Sequence, residues 1–302
     1  MISRTNAFFK AFGAISGFCA TLLFSSGVLA QEIDFSGDWR PLYHEDLPER
    51  IPGPHLADYS GMPINDAARL RGDSYNPNRI SVVSEYICRQ HGGDYSMRGA
   101  ADLRIERVVD PLTQQPIAFK TRIGFMGMER TIWLNNPERP ADIAPHTFQG
   151  FSTGTFDGNM LNILTTDFKE SYLRRNGLAA SSERTATEHW VMHGDYLTVV
   201  TVIDDPVFMT EPMVRSQTWV RDVSARQAPS ACQVIQELPV NALGQIVPHF
   251  LPGQNPWLLE FAERYRLPYS GVRGGIETMY PEYMDTMEAP VGEAEFCIEE
   301  CM

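Results

Sequence analysis

Phe156-Asp157-Gly158-Asn159-Met160-Leu161 places a tight turn between two runs of alternating residues, and its reading decides the fold. Asp-Gly between apolar-alternating segments is a strong short-range hairpin signature, because glycine accepts the backbone conformation such turns require. The flanking runs, Phe148 to Phe156 and Met160 to Phe168, therefore read as paired strands. The pattern returns in Met192-His193-Gly194-Asp195-Tyr196-Leu197, which joins Thr185–Met192 to Tyr196–Ile203. The echo reads as one turn chemistry used twice rather than as a duplication.

Working outward, the same period continues. Leu103, Ile105, Arg107 and Val109 alternate with polar neighbours, and Asp110-Pro111 turns the chain into a second strand, Pro116 to Ile123. Arg130 to Leu134 gives a third strand and Val214 to Val220 closes the series. About eight strands in one up-and-down order are expected to curl and close, since closure removes unpaired edges. The sequence thus predicts a mainly β protein, an antiparallel barrel over residues 31–223 with room for one small ligand. Residues 40–100 are polar and turn-rich, with one short helix expected over Asn65–Arg71 and Asn65 as its cap. Residues 224–302 read as an extension wrapping the barrel, with one helix over Pro256–Tyr265.

The N-terminus sets the expected compartment. Arg4 and Lys10 precede an apolar run from Ala11 to Phe24, and Val28-Leu29-Ala30 gives a small-x-small cleavage pattern before Gln31. The run is shorter than the roughly 20 residues a bilayer-spanning helix needs. Residues 1–30 therefore read as a cleaved signal peptide, and the mature chain as periplasmic or secreted. Cleavage removes two cations from a chain whose net charge is already −13. That balance disfavours nucleic acid and anionic membrane surfaces, both of which reward basic patches.

Four cysteines follow the cleavage site: Cys88, Cys232, Cys297 and Cys301. An even count in an oxidising compartment suggests bridges, with three pairings possible. A Cys88–Cys232 bridge is expected to tie the irregular N-terminal zone to the chain leaving the last strand. The acidic tail holding Cys297 and Cys301 reads as an end tether or an intermolecular bridge rather than a metal cage, because no His lies nearby.

Two motifs suggest chemistry that their surroundings contradict. Gly150-Phe151-Ser152-Thr153-Gly154 spells the nucleophile-elbow pattern, and Asp205 and His249 follow in hydrolase order. An elbow needs a strand turning into a helix, whereas these residues run on into the hairpin. His189 and His193 have helical zinc-ligand spacing but lie on a strand, where residues four apart are about 13 Å from each other. No metal and no cofactor are expected.

The remaining candidates are polar residues among apolar strands. His146 is the candidate base, with Asp167 or Glu188 as its carboxylate partner. Alternation places His146 and Ser152 on one strand face and Gln149 on the other. Arg130, Trp133, Gln149, Ser152 and Arg175 are the candidate ligand contacts; the Arg174-Arg175 pair reads equally as an anion clamp or a surface pair.

Phe35-Ser36-Gly37-Asp38-Trp39 contains a G-x-W that resembles the opening strand of lipocalins, in which the Trp plugs the closed end of the barrel. Over most of the mature chain the sequence also resembles a family of uncharacterised exported bacterial proteins. The matching segments include Arg130-Thr131-Ile132-Trp133, His146–Gly154, Arg174–Gly177, Asp204-Asp205-Pro206, Leu251–Asn255 and Gly274–Tyr283. Members of that family often carry His where this chain has Asp167. The resemblance implies a shared fold and no particular reaction. Together these readings point to an exported protein that binds a small, largely apolar molecule in a lipocalin-like barrel. The alternatives are a cofactor-free lyase, isomerase or hydrolase using the His/carboxylate pair, and a structural module.

Overall fold

The two hairpins form as the turn residues dictate. Strand β5 (Phe151–Asp157) pairs with β6 (Met160–Thr166), and β9 (Thr185–His193) with β10 (Tyr196–Asp204), each through a two-residue loop. They belong to a barrel seen in the computed structural model of the protein, which describes residues 33–42, 54–77, 88–99, 101–225 and 249–288. The expected signal peptide and Cys232, Cys297 and Cys301 lie outside the described residues.

The other barrel strands are β1 (Gly37–Leu42), β2 (Leu103–Val109), β3 (Pro116–Ile123), β4 (Met128–Trp133) and β11 (Met213–Arg221). Their order round the barrel is β1-β11-β10-β9-β6-β5-β4-β3-β2, closed. Each strand lies beside its neighbours in sequence; two short strands, β7 (Ser171–Tyr172) and β8 (Ala179–Ala180), pair with each other outside the ring.

Nine strands cannot alternate direction all the way round a closed ring, because alternation needs an even number. One neighbouring pair must be parallel, and it is β4 with β5, where Ile132 faces Ser152 and Trp133 faces Thr153. The expected series is therefore up-and-down with one interruption. The chain between Leu134 and Gly150 returns along the barrel to enter β5 in the same direction as β4, and this crossover carries His146.

Alternation sorts the side chains. Leu103 and Ile105, Phe119 and Ile123, Leu161 and Ile163, and Leu197 and Val199 point inward and are buried, forming one core with Trp39, Trp190 and Trp219. A second apolar cluster lies outside the strands' interior. There Tyr59, Ile64 and Ala68 meet Leu173, Leu178, Ile203 and Met209. Helix α1 (Asp66–Ser74) sits in this second cluster, with Asn65 accepting a hydrogen bond from the Ala68 amide at 3.1 Å, as its cap position requires.

The C-terminal segment 249–288 packs on this region. Arg273 forms a two-pronged pair with Asp73 at 2.8 and 2.6 Å, and the Tyr59 amide bonds to the Val272 carbonyl. Its helices are short: α3 (Glu260–Tyr265), α4 (Tyr269–Arg273) and α5 (Pro281–Met284). The helix expected from Pro256 begins only at Glu260, after a run of turns. Among the described residues no helix is long and apolar enough to cross a membrane.

Candidate functional site

The hairpin end of the barrel is sealed by rings. Phe35, just before β1, stands edge-on to Phe119 and Trp190, with centroids at 5.9 and 5.7 Å, and stacks on Phe156. Trp39 lies beneath, its indole N–H donating to the Phe35 carbonyl at 3.1 Å. Arg221, from the last strand, covers the Trp39 ring at 4.3 Å and donates to the Ser36 carbonyl. A side chain at Gly37 would place its Cβ 2.5 Å from the Arg221 guanidinium. The G-x-W glycine thus makes room for the cation that covers its tryptophan.

Toward the opposite end the inner faces turn polar. Arg130 on β4 and Glu188 on β9 form a bidentate pair with both contacts at 2.7 Å, and both side chains are almost wholly buried. The Trp190 indole N–H donates to the same carboxylate at 2.9 Å. Ser152 and Thr165 share a hydrogen bond at 2.8 Å on the paired strands β5 and β6. Thr121, Thr201 and Gln217 are buried nearby in the pattern.

The mouth above them is not open. Residues 91–99, including helix α2 (Gly93–Ser96), are buried throughout, and Met97 joins the barrel core. The Gly93 Cβ position lies 2.9 Å from the Gln149 carbonyl and 3.5 Å from Arg130 Cδ, so this segment sits directly on the polar layer. Gln149 secures it by donating to the His91 carbonyl at 3.0 Å. Asp94 is fully enclosed and pairs with Arg184, which also donates to the Lys169 and Ser181 carbonyls and lies over the Phe168 ring. Burial alone would raise the Asp94 carboxyl's pKa, but the Arg184 guanidinium outweighs it and holds the group below the usual carboxylate range.

Of the expected catalytic residues, two meet. His146 Nε2 is 3.9 Å from Asp167 Oδ1, while His146 Nδ1 is 2.8 Å from the Phe168 carbonyl oxygen. Asp167, at a positive φ of 58°, also accepts from Thr166 at 2.6 Å and Arg139 at 3.1 Å. Partial burial pushes its pKa up, yet these two donors and the nearby cations leave it lowered. Glu188 is not part of this group; Arg130 and Trp190 engage its carboxylate inside the barrel.

The expected shared strand face of His146 and Ser152 is corrected by the structure. β5 begins at Phe151, and Gly150 breaks the run at φ 69°, where a Cβ would stand 2.5 Å from the Thr166 carbonyl oxygen. His146 and Gln149 therefore belong to the crossover, and the alternation rule does not reach them. Ser152 is wholly buried mid-sheet. Asp205, the second member of the hydrolase-like order, accepts from the Ser181 amide and hydroxyl and the Val207 amide, fixing a turn.

Trp133 is half-buried on the outward side of β4. Arg174, rather than Arg175, is the buried member of its pair, bonding the Asp58 carbonyl. Cys88 is disulfide-bonded, and its partner is not among the described residues. Sequence reading missed Asp94, Arg184 and Arg221; Arg221 alone left a trace, as a cation ending the strand that must close on the G-x-W.

No protein-family model matches the chain, and no curated protein matches it. Among solved structures it is similar to the fluorescent protein UnaG, at 11% identity and a TM-score of 0.30, covering 62% of this chain and 97% of that one. A point mutant of UnaG gives 12% identity and a TM-score of 0.28, covering 62% and 95%.

Proposed function

We propose that this chain is an exported protein that holds a small, largely apolar molecule inside its barrel, under the 91–99 segment. The observation that carries the reading is a pair of buried donors on the inner wall with no hydrogen-bond partner among the described residues: the Trp219 indole N–H and Arg130 Nε. Closed interiors leave few such groups unmatched, because each one costs about 1–3 kcal/mol. A ligand with one or two acceptor atoms and an apolar body would satisfy them. The ring-sealed end leaves the 91–99 segment as the door.

Native mass spectrometry of protein purified from its own host tests this. We expect a retained small molecule that is lost on Trp219→Phe, which keeps an aromatic ring and removes the donor. Uniformly empty protein would overturn the reading.

The compartment and the bridge belong to the same proposal. Edman sequencing of exported material should begin at Gln31, and non-reducing peptide mapping should link Cys88 to Cys232. Finding Met1, or Cys232 as a free thiol, would refute the respective statement.

A second reading rests on the His146–Asp167 contact at the rim. A histidine beside a carboxylate can serve as a general base. If the chain catalyses a reaction there, His146→Ala should abolish it and Ser152→Ala should leave it within severalfold.

A further inference from the structure

Outside the barrel, a cavity of about 420 Å³ opens between the end of α1, the Tyr172–Gly177 stretch and the C-terminal segment at 249–258. That volume is on the scale of small-molecule sites. The walls are tied together by backbone. The Phe250 amide donates to the Ser74 carbonyl at 2.8 Å, and Asn255 donates to the Asp73 carbonyl at 2.8 Å. Tyr75 and Tyr172 meet edge to face at 5.6 Å on one side. Their approach depends on Gly177, where a Cβ would lie 2.2 Å from the Tyr75 Cβ.

The charges around this cavity divide into two groups. Asp73 is taken by Arg273 and the Tyr59 hydroxyl, and Arg71 is paired with Glu170. Arg89 and His249 line the same cavity and make no ion pair among the described residues. Arg89 follows the disulfide-bonded Cys88, which restrains the backbone beneath it. A cavity lined by the Arg89 guanidinium and the His249 imidazole, neither ion-paired among the described residues, is a local departure from a chain of net charge −13.

We propose that this cavity binds a small aromatic carboxylate, its carboxylate held by Arg89 and His249 and its ring against Tyr75 and Tyr172. Guanidinium and imidazole donors suit a planar carboxylate, and the tyrosine pair offers both a face and an edge to a ring. The site shares no residue with the barrel interior, so it stands or falls separately from the barrel reading.

The test uses the full chain, with 4-hydroxybenzoate and the neutral 4-hydroxybenzamide as probes in calorimetric titrations. The acid should bind at least about tenfold more tightly than the amide, as loss of a charge-assisted hydrogen bond implies. Arg89→Gln, an exposed change with little claim on folding, should weaken the acid about tenfold and leave the amide unchanged. Tyr172→Leu should weaken both compounds. Equal affinity for acid and amide, no response of the acid to Arg89→Gln, or no binding of the acid below about 10 mM would each overturn the proposal.

Discussion

At the hairpin end of the barrel, Phe35, Trp39, Phe119 and Trp190 close the interior ring against ring, and Arg221 lies over the Trp39 ring. At the mouth the closing parts are ions and backbone: Asp94 with Arg184, Gln149 with the His91 carbonyl, and Arg130 with Glu188 one layer below. Ring packing is non-directional and rewards area, so the first end tolerates small shifts. Buried ion pairs demand their partners and penalise any arrangement that separates them. One end is therefore held by packed area, while the other depends on each buried ion keeping its partner.

The largest effect should come from breaking the mouth. Glu188→Ala leaves the Arg130 guanidinium buried without its counter-ion, and about 3–5 kcal/mol of unfolding free energy should disappear in urea titrations. Combining it with Arg130→Met should restore most of that loss; a double variant as weak as the single one would show that the pair is structural packing and not an ionic lock. Phe35→Ala should cost a similar or slightly smaller amount, about 3–4 kcal/mol, by opening a cavity among the rings. Its loss should be independent of pH, in contrast with the mouth.

Acid should discriminate between the ends next. Asp94 has a folded-state pKa below its unfolded value, so its contribution is complete above the unfolded value and is lost as pH falls through the folded one. Stability measured from pH 6 to pH 2 should decline below about pH 4, and Asp94→Asn should flatten part of that slope while lowering the plateau. An unchanged slope in the variant would place the acid sensitivity elsewhere. The smallest effect belongs to Ser152→Ala. Losing one neutral hydrogen bond to Thr165 should cost about 1 kcal/mol, and Ser152 should resist a fluorophosphonate probe because it is wholly buried.

Strand periodicity was legible wherever one face is buried and the other wet. Leu103–Val109 and Pro116–Ile123 end where their alternation ends. The reading failed at His146–Gln149, whose residue types imitate a strand; the interruption comes from the positive φ of Gly150, a property of backbone that a one-letter pattern does not carry. The parallel β4–β5 pair was equally hidden, since direction follows from how many strands complete the ring. Arg130 and Glu188 were recognised as polar residues among apolar ones, yet their pairing joins strands that are not neighbours in the sheet, across the interior. Helix α2 is a single turn, too short for any helical periodicity, and so the segment filling the mouth read only as part of an irregular zone.

Strand β1 has a kinetic consequence. Its two partners are remote in the chain: Trp39 faces Leu103 on one side and Arg221 on the other. Local hairpins such as β5–β6 and β9–β10 can form early, but a strand whose every ladder bond spans a long loop must wait for both neighbours to exist. Until then β2 and β11 each present an unpaired edge, and the sheet is an open ribbon able to recruit a strand from another chain. Refolding should thus show a slow final phase reported by Trp39 fluorescence, and its yield should fall with protein concentration.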